Sequence, residues 1–215
     1  RTRGALPHKM SDTTCSRMTA PGSAPSFMSR SGLLTANCDP FSFKGISWDG
    51  AEATTGVPGG LDVNALSFYF ELLRRNKFNA IRLPFNFKSV RDNQPITTTH
   101  ISPALNANLF DDVDGKKGVA YIQMLQEVVI AAAKENILVQ LAAGRLTPTA
   151  WPGEGLWYSR DIPETALPEL WDKLATALCG HWNVVGVDLQ HEPHKATWGD
   201  GPVSKQWQQG AERLG

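Results

Sequence analysis

The sequence predicts an α/β fold built on a parallel sheet, and three observations predict it. Short apolar runs alternate with amphipathic stretches from about residue 32 onward, the pattern of consecutive βα units. One run, Ile137 to Ala142, is rich enough in apolar residues to be a strand buried on both faces. Polar and charged residues gather just after the runs end, where parallel strands present all their C-termini to one side.

The elements follow in order. Arg1 to Ser31 is rich in Ser, Thr, Pro, Gly and Met without periodicity, which predicts an extended arm ahead of a domain over 32–215. Phe43 to Trp48 is the first strand, closed by the Gly-rich loop Gly56 to Gly60. Leu61 to Asn76 then sets Leu66, Tyr69, Phe70 and Leu73 on one helical face. Asn79 to Pro84 is the second strand, ended by proline. A polar loop runs on through Asp114, long enough to suspect function, before a helix from Tyr121 to Glu135. The third strand, Ile137 to Ala142, leads through a Trp-rich excursion, Trp151 to Asp161, into a helix from Leu167 to Gly180. Val184 to Leu189 is the fourth strand. A last helix begins near Val203, with Trp207, Ala211 and Leu214 at helical spacing.

Four such units need right-handed crossovers and a parallel sheet. Two architectures fit: an open doubly wound sheet, or part of an eight-stranded barrel. The first βα loop, Ser47-Trp48-Asp49-Gly50-Ala51-Glu52, puts bulky residues where a phosphate would need bare backbone, which argues against nucleotide binding.

At 215 residues and 41% hydrophobic, the chain can bury one core. Lys+Arg and Asp+Glu both number 21, so no overall field favours nucleic acid or an anionic membrane. The longest apolar stretch, Val128 to Ala133, falls far short of the roughly 20 residues that span a bilayer. There is no initiator Met, and Arg1 to Lys9 lack the apolar block of a secretory signal, so the start is expected to be processed or cut from something longer. Of three cysteines, Cys15 and Cys38 flank the loop-rich start and are the expected pair. Cys179 falls in the pattern Leu174, Ala177, Leu178 and is expected to be a buried core residue.

The strand ends hold the chemistry: Trp48 and Glu52 after the first, Arg82 at the second, Arg145 after the third, and His191, Glu192 and His194 after the fourth. A glutamate just past a run of valines can be partly desolvated, which favours its protonated form and suits a general acid. An ion pair or a helix N-terminal charge is the alternative for Glu192. Arg82 alternates with Ile81 and Leu83, so in a barrel it points inward, where it either orients a carboxylate or makes a structural salt bridge. Two histidines three residues apart in a loop are a weak metal signal, and neither metal nor cofactor is expected. Trp151, Trp157, Trp171 and Tyr158 offer flat faces for sugar rings or for core packing.

The segment Val187-Asp188-Leu189-Gln190-His191-Glu192-Pro193-His194, followed by Ala196-Thr197-Trp198-Gly199, resembles the Asn-Glu-Pro region of glycoside hydrolase family 5, the cellulase-type endoglucanases. Phe43-Lys44-Gly45-Ile46-Ser47-Trp48 resembles that family's first strand and Phe78-Asn79-Ala80-Ile81-Arg82-Leu83-Pro84-Phe85 its second. Gly155-Leu156-Trp157-Tyr158 resembles a loop of some members. The resemblance runs from about Gly32 to Gly201 and falls on four successive strands.

The resemblance implies a (β/α)8 TIM-type barrel, of which this chain supplies about the first four βα units. It also implies a retaining mechanism on β-glucan or a related polysaccharide, in an extracellular or secretory compartment. Glu192 matches the acid/base and Arg82 the arginine that supports the nucleophile. His191 stands where the family carries an Asn against the sugar 2-hydroxyl. Trp48, Glu52, Arg145, Trp157, His194 and Trp198 are the expected substrate-side residues. The family's Asp-x-His-Arg element at the third strand is Ala142-Ala143-Gly144-Arg145, which keeps only the Arg. A retaining mechanism needs two carboxyl groups about 5–5.5 Å apart, and the strand-seven nucleophile falls outside these four units. A second chain or a C-terminal half is expected to complete the barrel. Two functions follow as expectations: an impaired structural or carbohydrate-binding subunit, or the N-terminal part of an active β-1,4-glucanase.

Overall fold

The computed structural model describes residues 22–112, 114–149 and 155–215. A small antiparallel sheet comes first. β1 (Phe27–Arg30) pairs with β2 (Leu33–Ala36) through the turn Ser31-Gly32, where both residues have positive φ, the twist that a two-residue hairpin favours. β3 (Asp39–Pro40) adds to β2. This hairpin straddles residue 31, so the end of the expected arm is an ordered strand. Cys38 is disulfide-bonded and Cys179 is free; the expected partner Cys15 lies outside the described residues.

The main sheet is parallel, in the order β4 (Gly45–Ser47), β5 (Ala80–Asn86), β6 (Leu138–Arg145), β7 (Val184–Asp188). That order never reverses. A doubly wound sheet would show a switch point, so the chain is wound one way, as a barrel requires. Its helices are α1 (Leu66–Arg75), α2 (Phe87–Asp92), α3 (Tyr121–Lys134), α4 (Leu167–Leu178) and α5 (Trp207–Leu214).

Alternation decides what each face of the sheet does. Ile81, Leu83 and Phe85 of β5 and Val139, Leu141 and Ala143 of β6 are buried together with Phe70 of α1, Leu125 and Val128 of α3 and Leu174 of α4. Phe85, Phe87 and Trp171 meet edge to face, with ring centroids 5.2–5.6 Å apart, a geometry that adds to simple burial. Arg82 and Gln140, register partners, lie on the opposite face.

Three expectations need correction. Pro84 does not end its strand: it keeps register with Ala142 of β6, and its missing N–H faces the side of β4, which has already ended at Ser47, so no ladder bond is lost. The polar loop after it contains α2, which begins where Asn86 Oδ1 accepts the Ser89 N–H at 2.8 Å. The same loop serves as a cap: buried Asn106 accepts the Leu66 N–H at 2.7 Å at the start of α1. Cys179 is exposed, since Leu174 and Leu178 fix the buried stripe of α4 and the next residue is rotated about 100° away.

Candidate active site

A cavity of about 590 Å³ opens at the C-terminal ends of the parallel strands, lined by Ser47, Asp49, Glu52, Arg82, Pro84, Gly144, Arg145 and His191. Of the expected strand-end residues, Glu52, Arg82, Arg145 and His191 line it, Arg82 from within β5 and not from its end, whereas Trp48, Glu192 and His194 are not part of its lining.

Glu52 is buried, with 7% of its surface exposed. Its Oε2 accepts the Gly50 N–H at 2.7 Å, and its Oε1 lies 3.8 Å from Arg145 Nη2. Its loop is fixed from below: Tyr121 Oη donates to Ala51 O at 2.7 Å, and Asn86 Nδ2 donates to Glu52 O at 3.1 Å. Burial pushes the Tyr121 hydroxyl well above its ordinary range; the Asn86 N–H opposes this and the Glu52 charge adds to it. Tyr121 therefore stays a neutral donor. Gly144 leaves room for Glu52, since a Cβ there would come within 3.2 Å of Glu52 Cβ and 3.0 Å of Pro84 Cβ.

Arg82 donates through Nη2 to Asp188 Oδ2 at 2.7 Å, with about a quarter of each side chain exposed. Asp188 was not among the expected residues. A lone acid closing the run Val184-Val185-Gly186-Val187 was the signal that marked it.

His191 N–H donates to Ala143 O at 3.0 Å, which ties the fourth strand end to the third. Its Nε2 is 3.8 Å from Glu192 Oε1. Glu192 has φ of 48°, a left-handed backbone that is uncommon for a residue with a Cβ. The turn is held from the next residues: His194 N–H donates to Glu192 O at 2.7 Å, and His194 Nδ1 lies 3.1 Å from the same oxygen. Lys195 N–H donates to Gly155 O at 2.9 Å. A Cβ at Gly155 would meet His194 Nε2 at 2.7 Å, so this contact requires glycine. The expectation of a desolvated Glu192 is not met, because its side chain is 62% exposed.

The tryptophans divide. Trp157 is fully buried, donates to Glu164 Oε1 at 3.0 Å and packs on Trp207, so no sugar reaches it. Trp171 likewise belongs to the core. Trp48 lies against Tyr69 and Phe70, donates to Gly59 O at 3.0 Å and is half-buried. Trp198, six residues past Glu192, is 73% exposed. Trp151 lies outside the described residues. Among those described, no helix is long and apolar enough to cross a membrane, and no three His, Cys, Asp or Glu side chains gather as a metal site would need.

The family description "Cellulase (glycosyl hydrolase family 5)" matches residues 34–215. The chain belongs to glycosyl hydrolase family 5. It is 27% identical over 174 residues to an endoglucanase of Paenibacillus polymyxa, covering 80% of this chain and 41% of that protein. To the major extracellular endoglucanase of Xanthomonas campestris pv. campestris it is 29% identical over 172 residues, covering 79% and 33%. Among solved structures, an endocellulase from Pyrococcus horikoshii in complex with cellotetraose superposes with a TM-score of 0.77 at 26% identity, covering 91% of this chain and 54% of that one. The chain thus spans about half the length of that endocellulase and less than half of the two endoglucanases. β4 to α5 are accordingly four βα units of a (β/α)8 barrel, the N-terminal half of the family fold.

Proposed function

We propose that this family 5 chain supplies the acid/base side of an endoglucanase site that hydrolyses O-glycosidic bonds of β-1,4-glucan. The observation that carries this reading is the single cavity that joins Glu52, Arg145 and His191, at or just past three strand ends, with Arg82 from within β5, and Glu192 is next in the chain after His191. Glu192 protonates the glycosidic oxygen as the bond to the anomeric carbon breaks. A second carboxylate attacks that carbon to form a glycosyl ester. Glu192 then takes a proton from the water that hydrolyses the ester.

None of the other carboxylates at the site suits the second role: Asp49, which lines the cavity, accepts the Ser47 hydroxyl at 2.8 Å. Glu52 is held by Gly50 and faces Arg145, and Asp188 is held by Arg82. The nucleophile is assigned to further βα units, on a longer form of the chain or on a second chain, which also cover the open face of the sheet. Trp198 offers its exposed ring as a stacking face for a glucosyl unit. The reaction is assigned to the outside of the cell, in line with the Xanthomonas relative's name and with the disulfide at Cys38.

A second reading, glycan binding without turnover, draws on the exposure of Glu192 and on Ala142 and Gly144, which leave the third barrel strand without the family's Asp and His. One experiment separates the two: measure reducing ends released from β-glucan, and cellotetraose binding by calorimetry, for the protein assembled with the further βα units and for its Glu192→Gln variant. Hydrolysis that falls by about 10³-fold or more in the variant, with binding kept, supports the first reading. Binding with no hydrolysis in the unsubstituted protein selects the second. Undiminished hydrolysis by Glu192→Gln overturns the role of Glu192.

A further inference from the structure

We propose that Asp188 is a positioning residue that fixes the Arg82 guanidinium as the floor of the glycan cavity, acting across Ala142. The inference rests on the β-glucan reading for its ligand, but its geometry stands apart from it. Arg82 pairs in register with Gln140, and Asp188 with Ala142, so the ion pair passes over β6 and joins two strands that are not neighbours. Adjacent strands lie about 4.8 Å apart, so the span suits a long arginine meeting a short aspartate. The methyl group of Ala142 leaves the path open.

Arg82 lines two cavities. One is the strand-end cavity with Glu52 and His191. The other, about 580 Å³, lies toward the N-terminal ends of the strands, lined by Ala80, Gln140 and Gly186 among others. The guanidinium therefore stands at the boundary between them. A guanidinium carries its N–H donors in one rigid plane, so anchoring Nη2 at 2.7 Å orients the remaining donors too. With about a quarter of each partner exposed, water screens the pair less than it would on an open surface. Without Asp188 the arginine keeps its charge and loses its direction.

The test compares Asp188→Asn, Asp188→Ala and the transplant Ala142→Asp with Asp188→Ala, which returns a carboxylate to the strand where the family pattern carries one. Two readouts are taken on the whole chain. The first is the ¹⁵N side-chain spectrum of Arg82, assigned by its loss in Arg82→Lys. An anchored guanidinium gives slowly exchanging Nη signals, which collapse in Asp188→Asn and Asp188→Ala and return in the transplant. The second is calorimetric binding of cellotetraose, expected to weaken about tenfold in Asp188→Asn, the scale of one charge-assisted contact, and to recover in the transplant. A purely structural salt bridge would lower the melting temperature and leave affinity unchanged. Asp188→Asn is nearly isosteric and keeps the test open if the alanine variant does not fold. Arg82 signals that survive in Asp188→Asn overturn the inference, as does unchanged affinity once those signals have collapsed. If the unsubstituted chain binds no cellotetraose, the β-glucan reading fails and the Arg82 spectrum alone decides the anchoring.

Discussion

The two faces of the parallel sheet obey opposite rules although the same strands build both. On the helix side, Ile81, Leu83, Phe85, Val139 and Leu141 are closed off from water and make no polar contact through their side chains. On the cavity side, Arg82, Asp188 and Gln140 are polar and reachable by solvent. Because a strand alternates with a period of two, neighbours such as Leu141 and Gln140 belong to different environments. Stability is concentrated on one face and chemistry on the other, so substitutions one residue apart should have unlike consequences.

The largest effect is expected at Phe85, fully buried and in edge-to-face contact with Phe87 and Trp171. Phe85→Ala should lower the free energy of unfolding by about 3–5 kcal/mol, since it removes apolar surface and leaves a cavity that the rings around it only partly fill. Urea denaturation measures this directly. A loss under about 1 kcal/mol would mean that the helix face is not where the stability lies. Asn106 comes next. It satisfies the Leu66 N–H and donates to Leu61 O and Asn64 O, so Asn106→Ala leaves the buried Leu66 N–H without its partner, while Leu61 O still accepts from the Ser102 N–H. The expected cost is about 1–3 kcal/mol, with the early exchange of the α1 amides as its local signature.

The elements that were legible in the sequence are those whose period is long enough to read. β5, β6, β7, α3 and α4 fall within a few residues of their expected limits because each carries several turns or alternations of apolar residues. α2 was not legible: Phe87-Lys88-Ser89-Val90-Arg91-Asp92 is too short to show a helical period, and what starts it is a cap by Asn86 at the end of a strand. Among site residues, strand-end logic brought Glu52, Arg82, Arg145 and His191 to one cavity, because topology alone places them. It misjudged Trp157, since an indole's identity does not reveal whether its ring meets a sugar or a neighbouring ring. The exposure of Glu192 was equally hidden, because desolvation depends on what stands across the site and not on the strand that delivers it. Asp188 was overlooked because its role is defined by Arg82, 106 positions away.

The smallest effect sharpens the comparison most. Gln140 is exposed between buried Val139 and Leu141, and among the described residues no hydrogen bond or ion pair holds it the way Asp188 holds Arg82. Gln140→Ala should change the stability of the chain by no more than about 0.5 kcal/mol, an order of magnitude below Phe85→Ala on the paired strand. Its side chain lines the lower cavity with Ala80 and Gly186, beneath the Arg82 floor, so cellotetraose affinity should also stay within about twofold, or roughly 0.4 kcal/mol. The same urea titration and the same calorimetry check both numbers. A tenfold loss of affinity at Gln140 would show that the glycan reaches past Arg82 into the lower cavity. The guanidinium would then be a gate the sugar passes, and the division between a closed face for stability and an open face for chemistry would have to be redrawn deeper in the barrel.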